Sequence, residues 1–481
     1  MTAFPNLPSA RSCLLLVPLL FALSGCAAFR SYNAELTETI NLAASGNPGA
    51  AAAALEKSHR RKRDLLYYLE LGELQRLDGR FEDSQKAWLD ADKAVQAWEE
   101  TAKVNPGKLL GGAAGFVINE KLGAYEGHDY EKVMLTTRMA LNHLALGDWG
   151  TARVDIKRTH ERETVIENLR AQQIEKTEQE AVKRGAKTGF KDLNGYPVQT
   201  IDNPEVNALR NSYQSAFSHY LSGFVYEALG EPSLAAPGYR KAIELHPGNP
   251  ILEEALSGLD ARGGGGADGK TDVLFVIESG TAPARVSQQI NLPIPYNNKL
   301  LFVPVSFPVI RQEDPGTLPS AIHMGGSTAT PTVVTSIDAM ARRSLQEEMP
   351  GIMLRGIIRS TAKAALQYEA RRQDETGLAG IAVILGSILT ESADERGWRT
   401  LPAQIAIARA RVTTGTPYLE VDTPSGTQRI ALTATGRHQV IALRMLRGRL
   451  FVMPTPGPAG DKPQQQASTR STPQTFLAAT R

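Results

Sequence analysis

HYLSGFVYEALGEPSLAAPGYRKAIELHP, residues His219–Pro247, is the stretch whose reading decides the fold of the first half. Small residues at Gly223 and Ala235 let two antiparallel helices touch. Gly230 turns the chain between them, because glycine enters the left-handed backbone region without steric penalty. Tyr226 and Tyr239 fill the groove toward the next helix, and Pro247, which has no N–H, stops the second helix. The stretch reads as a helix hairpin with an apolar face that it cannot bury alone.

The order Gly223, Tyr226, Gly230, Ala235, Tyr239, Ala242, Pro247 has the spacing of a tetratricopeptide repeat. A second copy stands upstream at Tyr68, Leu71, Gly72, Gly79, Phe81, Trp88 and Ala91, with Ser84 in place of the usual small Ala. Weaker copies carry Gly46, Ala51 and Leu55, and Ala140, Gly147, Trp149, Ala152 and Ile156. Stacked hairpins must share a core, so residues 36–259 are expected to form an all-α, tetratricopeptide-like helical repeat domain. Two insertions interrupt the array. Thr151 to Arg184 reads as a long polar helix that packs at its base or projects as an arm. Pro106 to Gly123, with Gly111, Gly112 and Gly115 among Leu and Ala, reads as a close helix contact.

Gly264 to Thr271 formally spells the G-x-x-x-x-G-K-T phosphate loop. That loop needs a strand before it and a helix after it, so that backbone amides and the helix N-terminus face the phosphates. Here helical sequence precedes and the strand-forming run Asp272 to Ile277 follows. Residues 260–271 therefore read as a Gly-rich linker, with no nucleotide and no cofactor expected.

Residues 272–453 change character. Strands are expected at Val273–Ile277, Arg285–Ile290 and Leu300–Ile310, broken by Pro293, Pro295, Pro304 and Pro308. A helical block follows from Ile337 to Leu389, interrupted at Pro350 and Gly377. Strands then return near residues 405–412, 418–421, 429–433, 439–445 and 449–453. Strands and helices without regular alternation indicate an α+β domain with a mostly antiparallel sheet, which makes the chain multidomain. Residues 454–481, rich in Pro, Gln, Ser and Thr, read as a disordered tail.

Charge divides between the halves. Cys26 to Thr271 carries 30 basic and 35 acidic residues; Asp272 to Met453 carries 19 basic and 15 acidic, and 17 of those 19 are Arg. Arg355, Arg359 and Lys363 stand four apart and form a basic stripe on one helix face. They read either as a solvated face or as a dock for an anionic partner: peptidoglycan carboxylates, lipid phosphates or the acidic repeat half. With Tyr226 and Tyr239 they are the candidate partner-binding residues. In the cluster Ala393 to Pro402, Asp394, Arg396 and Arg399 are expected to form an ion-paired structural turn over Trp398.

The N-terminus supplies the compartment. Arg11 precedes an apolar core, Cys13 to Phe21, too short to span a bilayer, and Leu23-Ser24-Gly25-Cys26 closes it. That box resembles the lipobox of bacterial lipoproteins, which implies removal of residues 1–25, acylation of Cys26 and a lipidated tether over residues 26–35. Two acyl chains anchor a protein stably. Ala27 and Ala28 after the cysteine, rather than Asp, favour the outer membrane with the body in the periplasm. Cys13 and Cys26 are the only cysteines, which excludes a disulfide framework and a cysteine-based metal site. The formal charge of +2 on 481 residues and the expected compartment argue against nucleic acid.

Four segments widen the resemblance: Tyr125 to Glu131, Ala140 to Leu144, Glu278 to Pro283 and Asp394 to Pro402. Together with the lipobox and repeats they resemble an uncharacterised family of Gram-negative outer-membrane lipoproteins. That family joins repeat-like helices to a strand-rich C-terminal domain, and its members occur near genes for lipoproteins that activate penicillin-binding proteins, so the resemblance implies envelope work. It brings no catalytic residues. No H-E-x-x-H or G-x-S-x-G motif is present, and a lone acid such as Glu278, after a strand, more often caps a turn than performs catalysis. The reading is a non-enzymatic, membrane-anchored interaction scaffold serving the envelope, peptidoglycan, or secretion and pilus machinery. The alternative is an envelope hydrolase or glycan-binding enzyme that gathers Glu278 or Asp394 with Arg and His in its C-terminal domain.

Overall fold

The computed structural model describes residues 32–59, 63–109, 123–263, 269–296, 299–373 and 392–454. Cys26 with its box, residues 110–122 of the first insertion, residues 264–268 of the linker, the apolar run 378–389 with Gly377, and the tail from 455 lie outside the described residues.

The first half is helical: α1 Tyr32–Ala44, α2 Pro48–Ser58, α3 Leu65–Leu77, α4 Phe81–Val104, α5 Pro106–Leu109, α6 Asp129–Ala145, α7 Trp149–Arg184, α8 Pro204–Ala208, α9 Ala216–Ala228, α10 Pro232–Leu245, α11 Pro250–Ser257 and α12 Leu259–Gly263. The pairs α1/α2, α3/α4, α6/α7 and α9/α10 are hairpins whose first helices end in one way. Gly46, Gly79, Gly147 and Gly230 take positive φ values of 93°, 74°, 78° and 76°. The amide after each reaches the carbonyl five residues back: Asn47 to Leu42 (3.1 Å), Arg80 to Gln75 (2.9 Å), Asp148 to His143 (2.8 Å) and Glu231 to Tyr226 (2.8 Å). This is the Schellman ending, and it satisfies carbonyls that the helix leaves open.

The helices of a hairpin meet where the sequence supplies no side chain. A Cβ on Gly72 would stand 2.2 Å from Trp88 Nε1, and one on Gly223 would stand 2.6 Å from the Tyr239 ring. Both rings are fully buried. Ser84 uses its extra oxygen, donating to Gly72 O at 2.7 Å and accepting from Asn142 Nδ2 at 2.8 Å. Helix α7 is continuous, as its polar sequence suggested. Its buried residues run from Trp149 to Leu169, and beyond them only Ala181 is buried.

The second half is strand-rich: β1 Lys270–Ser279, β2 Arg285–Tyr296, β3 Lys299–Ile310, β4 Ala321–Met324, β5 Ser327–Ala329, β6 Thr332–Ser336, helix α13 Ile337–Gln373, then β7 Gln404–Thr413, β8 Tyr418–Thr423, β9 Gly426–Ala431, β10 His438–Leu446 and β11 Arg449–Pro454. A five-stranded sheet has the order β11-β10-β1-β7-β6; β2-β3 form a ribbon, and β5-β4-β8-β9 form a smaller sheet. Every pairing is antiparallel except β1 with β10.

Two expectations about proline are corrected. The prolines of β2 and β3 do not break the strands. Their partners are Pro293↔Phe302, Pro295↔Leu300, Asn291↔Pro304 and Ser287↔Pro308. All four pairs fall on the same alternation of the ladder, the one whose N–H groups point away from the partner strand, so no ladder bond is lost. Pro350 does not break α13 either. A mid-helix proline costs about 3 kcal/mol. Against that cost, Leu345, Met349, Ile352 and Met353 are buried with Val305, Phe307 and Val309 of β3.

The halves share a core. One cluster of buried side chains joins Leu66, Trp88, Leu141, Phe217 and Tyr239 of the helices to Leu274, Ile405, Val440 and Met453 of the sheet. A second joins Leu36, Ala51 and Leu74 to Leu446 and Phe451. The repeat helices therefore lie on the five-stranded sheet, and Tyr239, expected as a partner-binding residue, is buried in the core they share.

Candidate functional site

The loop Trp398-Arg399-Thr400 is held by two buried acids of the helical half. Glu131 on α6 accepts from Trp398 N at 2.7 Å, from Tyr125 Oη at 2.5 Å and from His128 N at 3.0 Å. Glu70 on α3 accepts from Arg399 N at 2.7 Å, from Thr400 N at 3.0 Å and from Tyr32 Oη at 2.7 Å. Burial drives the Glu70 carboxyl up to about 7, opposed by bonds from Thr400, Tyr32 and the Arg399 amide. Just before the loop, Arg396 donates to Asp394 through Nε (2.8 Å) and Nη2 (2.6 Å). Trp398 lies 1% exposed beneath, edge-on to Trp88 at 6.1 Å between centroids. Arg399 turns elsewhere, to Glu313 at 2.9 Å and Asn33 at 3.1 Å.

Glu278, the acid after β1, is fully buried. Arg138 of α6 donates to both its oxygens and to both oxygens of Glu73. Arg138 holds the Glu278 carboxyl below its ordinary value despite burial. Glu278 is thus engaged by Arg138 inside the core. Asp394, bound by Arg396, is engaged as well.

Tyr239 is corrected from a partner-binding to a core residue. It is fully buried, donates to Glu227 Oε2 at 2.6 Å and accepts from Arg409 Nη1 at 3.2 Å. Tyr226 is half-buried, with the Arg153 guanidinium 5.8 Å from its ring centre. Around Tyr239, the ligand atoms of Glu227, Asp272 and His438 lie within 4.8 Å of one another, a spacing a metal could use. The position is already cationic. Arg409 bonds Asp272 Oδ1 (2.9 Å) and Glu227 Oε1 (2.8 Å), and Arg262 adds a bond to Glu227 at 2.6 Å. Those guanidiniums overcome burial and bring Glu227 down to about 2. The donor set does not fit a metal ion.

Among the described residues, a cleft of about 770 Å³ lies between α7 and α13. Its floor is Gly127 to Lys132 and the segment Arg210 to Tyr213. Trp98, Ile166, Leu169, Tyr213 and Leu354 give it an apolar wall, and Ile174 at its mouth is 53% exposed. The floor is ionic and internally bonded. Asp129 receives Arg170 and, at 3.3 Å, Lys132. Glu348 receives Arg285 at 2.8 Å and Ser344 at 2.7 Å, with His128 Nδ1 3.4 Å away. These neighbours hold both carboxyls below their ordinary values against burial. Exposed Glu126, Glu167 and Glu178 line the cleft as well.

Of the basic stripe, Arg355 lines this cleft, while Arg359 is half-buried one turn on along α13. The side chain of Lys363 lies outside the described residues. Sequence reasoning missed the apolar wall. Trp98, Ile166 and Leu169 looked like ordinary helix-face residues, and nothing in the chain's order shows that α7 and α13 lie side by side.

No family model and no curated protein matches the chain. Among solved structures, a tetratricopeptide repeat protein from Parabacteroides merdae is similar over 48% of this chain and 98% of its own, at 13% identity and a TM-score of 0.13. That likeness is too slight to bear on the fold, which rests on the hairpins themselves.

Proposed function

We propose that the protein is a lipid-anchored, non-enzymatic interaction scaffold of the Gram-negative envelope, tethered through Cys26 to the outer membrane with its body in the periplasm. The observation that carries the scaffold reading is the cleft between α7 and α13: exposed Ile174 at its mouth, over a packed apolar wall and beside an ionic floor whose charges are already paired. Paired floor charges leave recognition to apolar contact and shape, with the exposed acids of the rim setting orientation. This suits a helical segment of an envelope protein with an apolar face and basic flanks. The tether reading is supported by the order of n-region, core and Leu23-Ser24-Gly25-Cys26 box.

Capture from detergent-solubilised envelopes tests the scaffold. Reproducible protein partners are expected with the unaltered chain and lost with Ile174→Asp, whose exposed position leaves folding unaffected. Retention of the same partners by Ile174→Asp would remove the cleft from the reading. Separately, Cys26→Ala should abolish palmitate labelling and release the protein from membranes. Unchanged fractionation would overturn the tether without touching the scaffold.

A further inference from the structure

Where the helices meet the sheet, one guanidinium takes both carboxylates of a five-charge cluster. Arg138 faces all four oxygens of Glu73 and Glu278. Arg76 and Arg444, 1% and 0% exposed, are left without a carboxylate. Arg76 Nη1 donates to Asn142 Oδ1 at 2.8 Å. Arg444 Nη2 donates to the carbonyls of Gly280 at 2.7 Å and Thr400 at 3.1 Å. Among the described residues, the buried donors Nε of Arg76 and both Nε and Nη1 of Arg444 meet no acceptor.

Glu278 and Arg444 are register partners on the parallel pair β1 and β10, so their side chains rise from the same face of the sheet. Even so, Arg444 bonds to the two carbonyls and leaves that carboxylate to Arg138. Within this group three positive charges meet two negative ones, and the surplus is enclosed. Burial, with Arg138 and Arg444 close by, brings Arg76 down to about 10, and burial lowers Arg444 as well. A core holds an unmatched charge only at great cost unless a counter-charge accompanies it.

We propose that Arg444, with Arg76 beside it, holds a small monovalent anion of chloride size between the helical half and the sheet. The surplus is a single charge, which suits a halide better than a multiply charged oxyanion. The three open donor nitrogens come from two guanidiniums, and a spherical ion accepts from any direction. Arg76 belongs to α3, while Arg444, Gly280 and Thr400 belong to the other half. The anion therefore ties the halves together.

Crystals of the full chain soaked in sodium bromide give the direct reading. An anomalous peak within hydrogen-bond distance of the Arg444 guanidinium supports the site, and its absence overturns it. Thermal unfolding with chloride replacing gluconate at fixed ionic strength gives the second reading. The unaltered chain should gain on the order of 1–3 °C per tenfold chloride. Arg444→Met, which leaves two Arg against two Glu, should lose that dependence. An equal gain in both proteins also overturns the site, and if Arg444→Met does not fold, the bromide reading on the unaltered chain decides.

Discussion

Arg138 is the residue on which the contact between the halves turns. Replacing it with Met removes the guanidinium that bonds all four oxygens of buried Glu73 and Glu278 and leaves them only the more loosely placed Arg76 and Arg444, and breaking such a pair costs about 3–5 kcal/mol. Urea unfolding of Arg138→Met should show a loss of that size; a loss under about 1 kcal/mol would mean the carboxylates find other partners. Glu70 acts through protons. Its folded pKa of about 7 lies above the ordinary 4.5, so between those values the folded state holds the proton more tightly than the unfolded one. Stability should therefore fall as pH rises from about 4.5 to about 7, by on the order of 1–3 kcal/mol. Glu70→Gln should flatten that part of the curve, and an unchanged slope would assign the effect elsewhere. Little of this was legible in the sequence. Glu278 was visible as an acid after a strand, but its partner stands 140 residues earlier on a helix, and no spacing rule links them.

Among elements, the hairpins were the most legible because their signals are local. A glycine with positive φ at the end of each first helix, and a residue small enough to admit a ring, both show in the chain's order. One backbone-to-backbone contact was not foreseen: a Cβ on Gly238 would stand 2.8 Å from Gly223 N and 2.8 Å from His219 O. Backbone cannot step aside as a side chain can. Gly238→Ala should therefore destabilise by about 1–3 kcal/mol although Ala is the better helix former. Equal or higher stability in a urea titration would show that α9 and α10 can separate there. The prolines misled at this same scale. Pro293, Pro295, Pro304 and Pro308 look like breaks when each is read alone. Their shared parity becomes meaningful only once β2 and β3 are known to pair with each other as a two-stranded ribbon. Pro350 misled because the burial that holds α13 together comes from β3, distant in sequence.

At the scale of the molecule, the composition shift near residue 270 marks where helix gives way to strand, and the order of elements gave the α+β character of the second half. It could not show that the two kinds of structure share one core. The consequence is cooperative unfolding. Calorimetry of the full chain should give a single transition with equal calorimetric and van't Hoff enthalpies. Two resolved transitions would mean that the contacts of Arg138, Glu70 and Glu131 across the halves contribute little. For the same reason the cleft between α7 and α13 should survive only in the intact chain, since one wall comes from each half.

The first helix and the last strands meet. Leu36 of α1 and Ala51 of α2 are buried with Leu446 and Phe451, and Arg447 bonds to Asn41 at 2.6 Å. A chain that emerges N-terminus first cannot close this contact until its final strands have appeared. Early segments must wait with their apolar faces uncovered, the condition in which chains aggregate most readily. The same contact sets the path of mechanical load. A pull applied at the start of the chain passes from α1 straight into β10 and β11, so the first hairpin would not peel away alone: it would take the edge of the sheet with it.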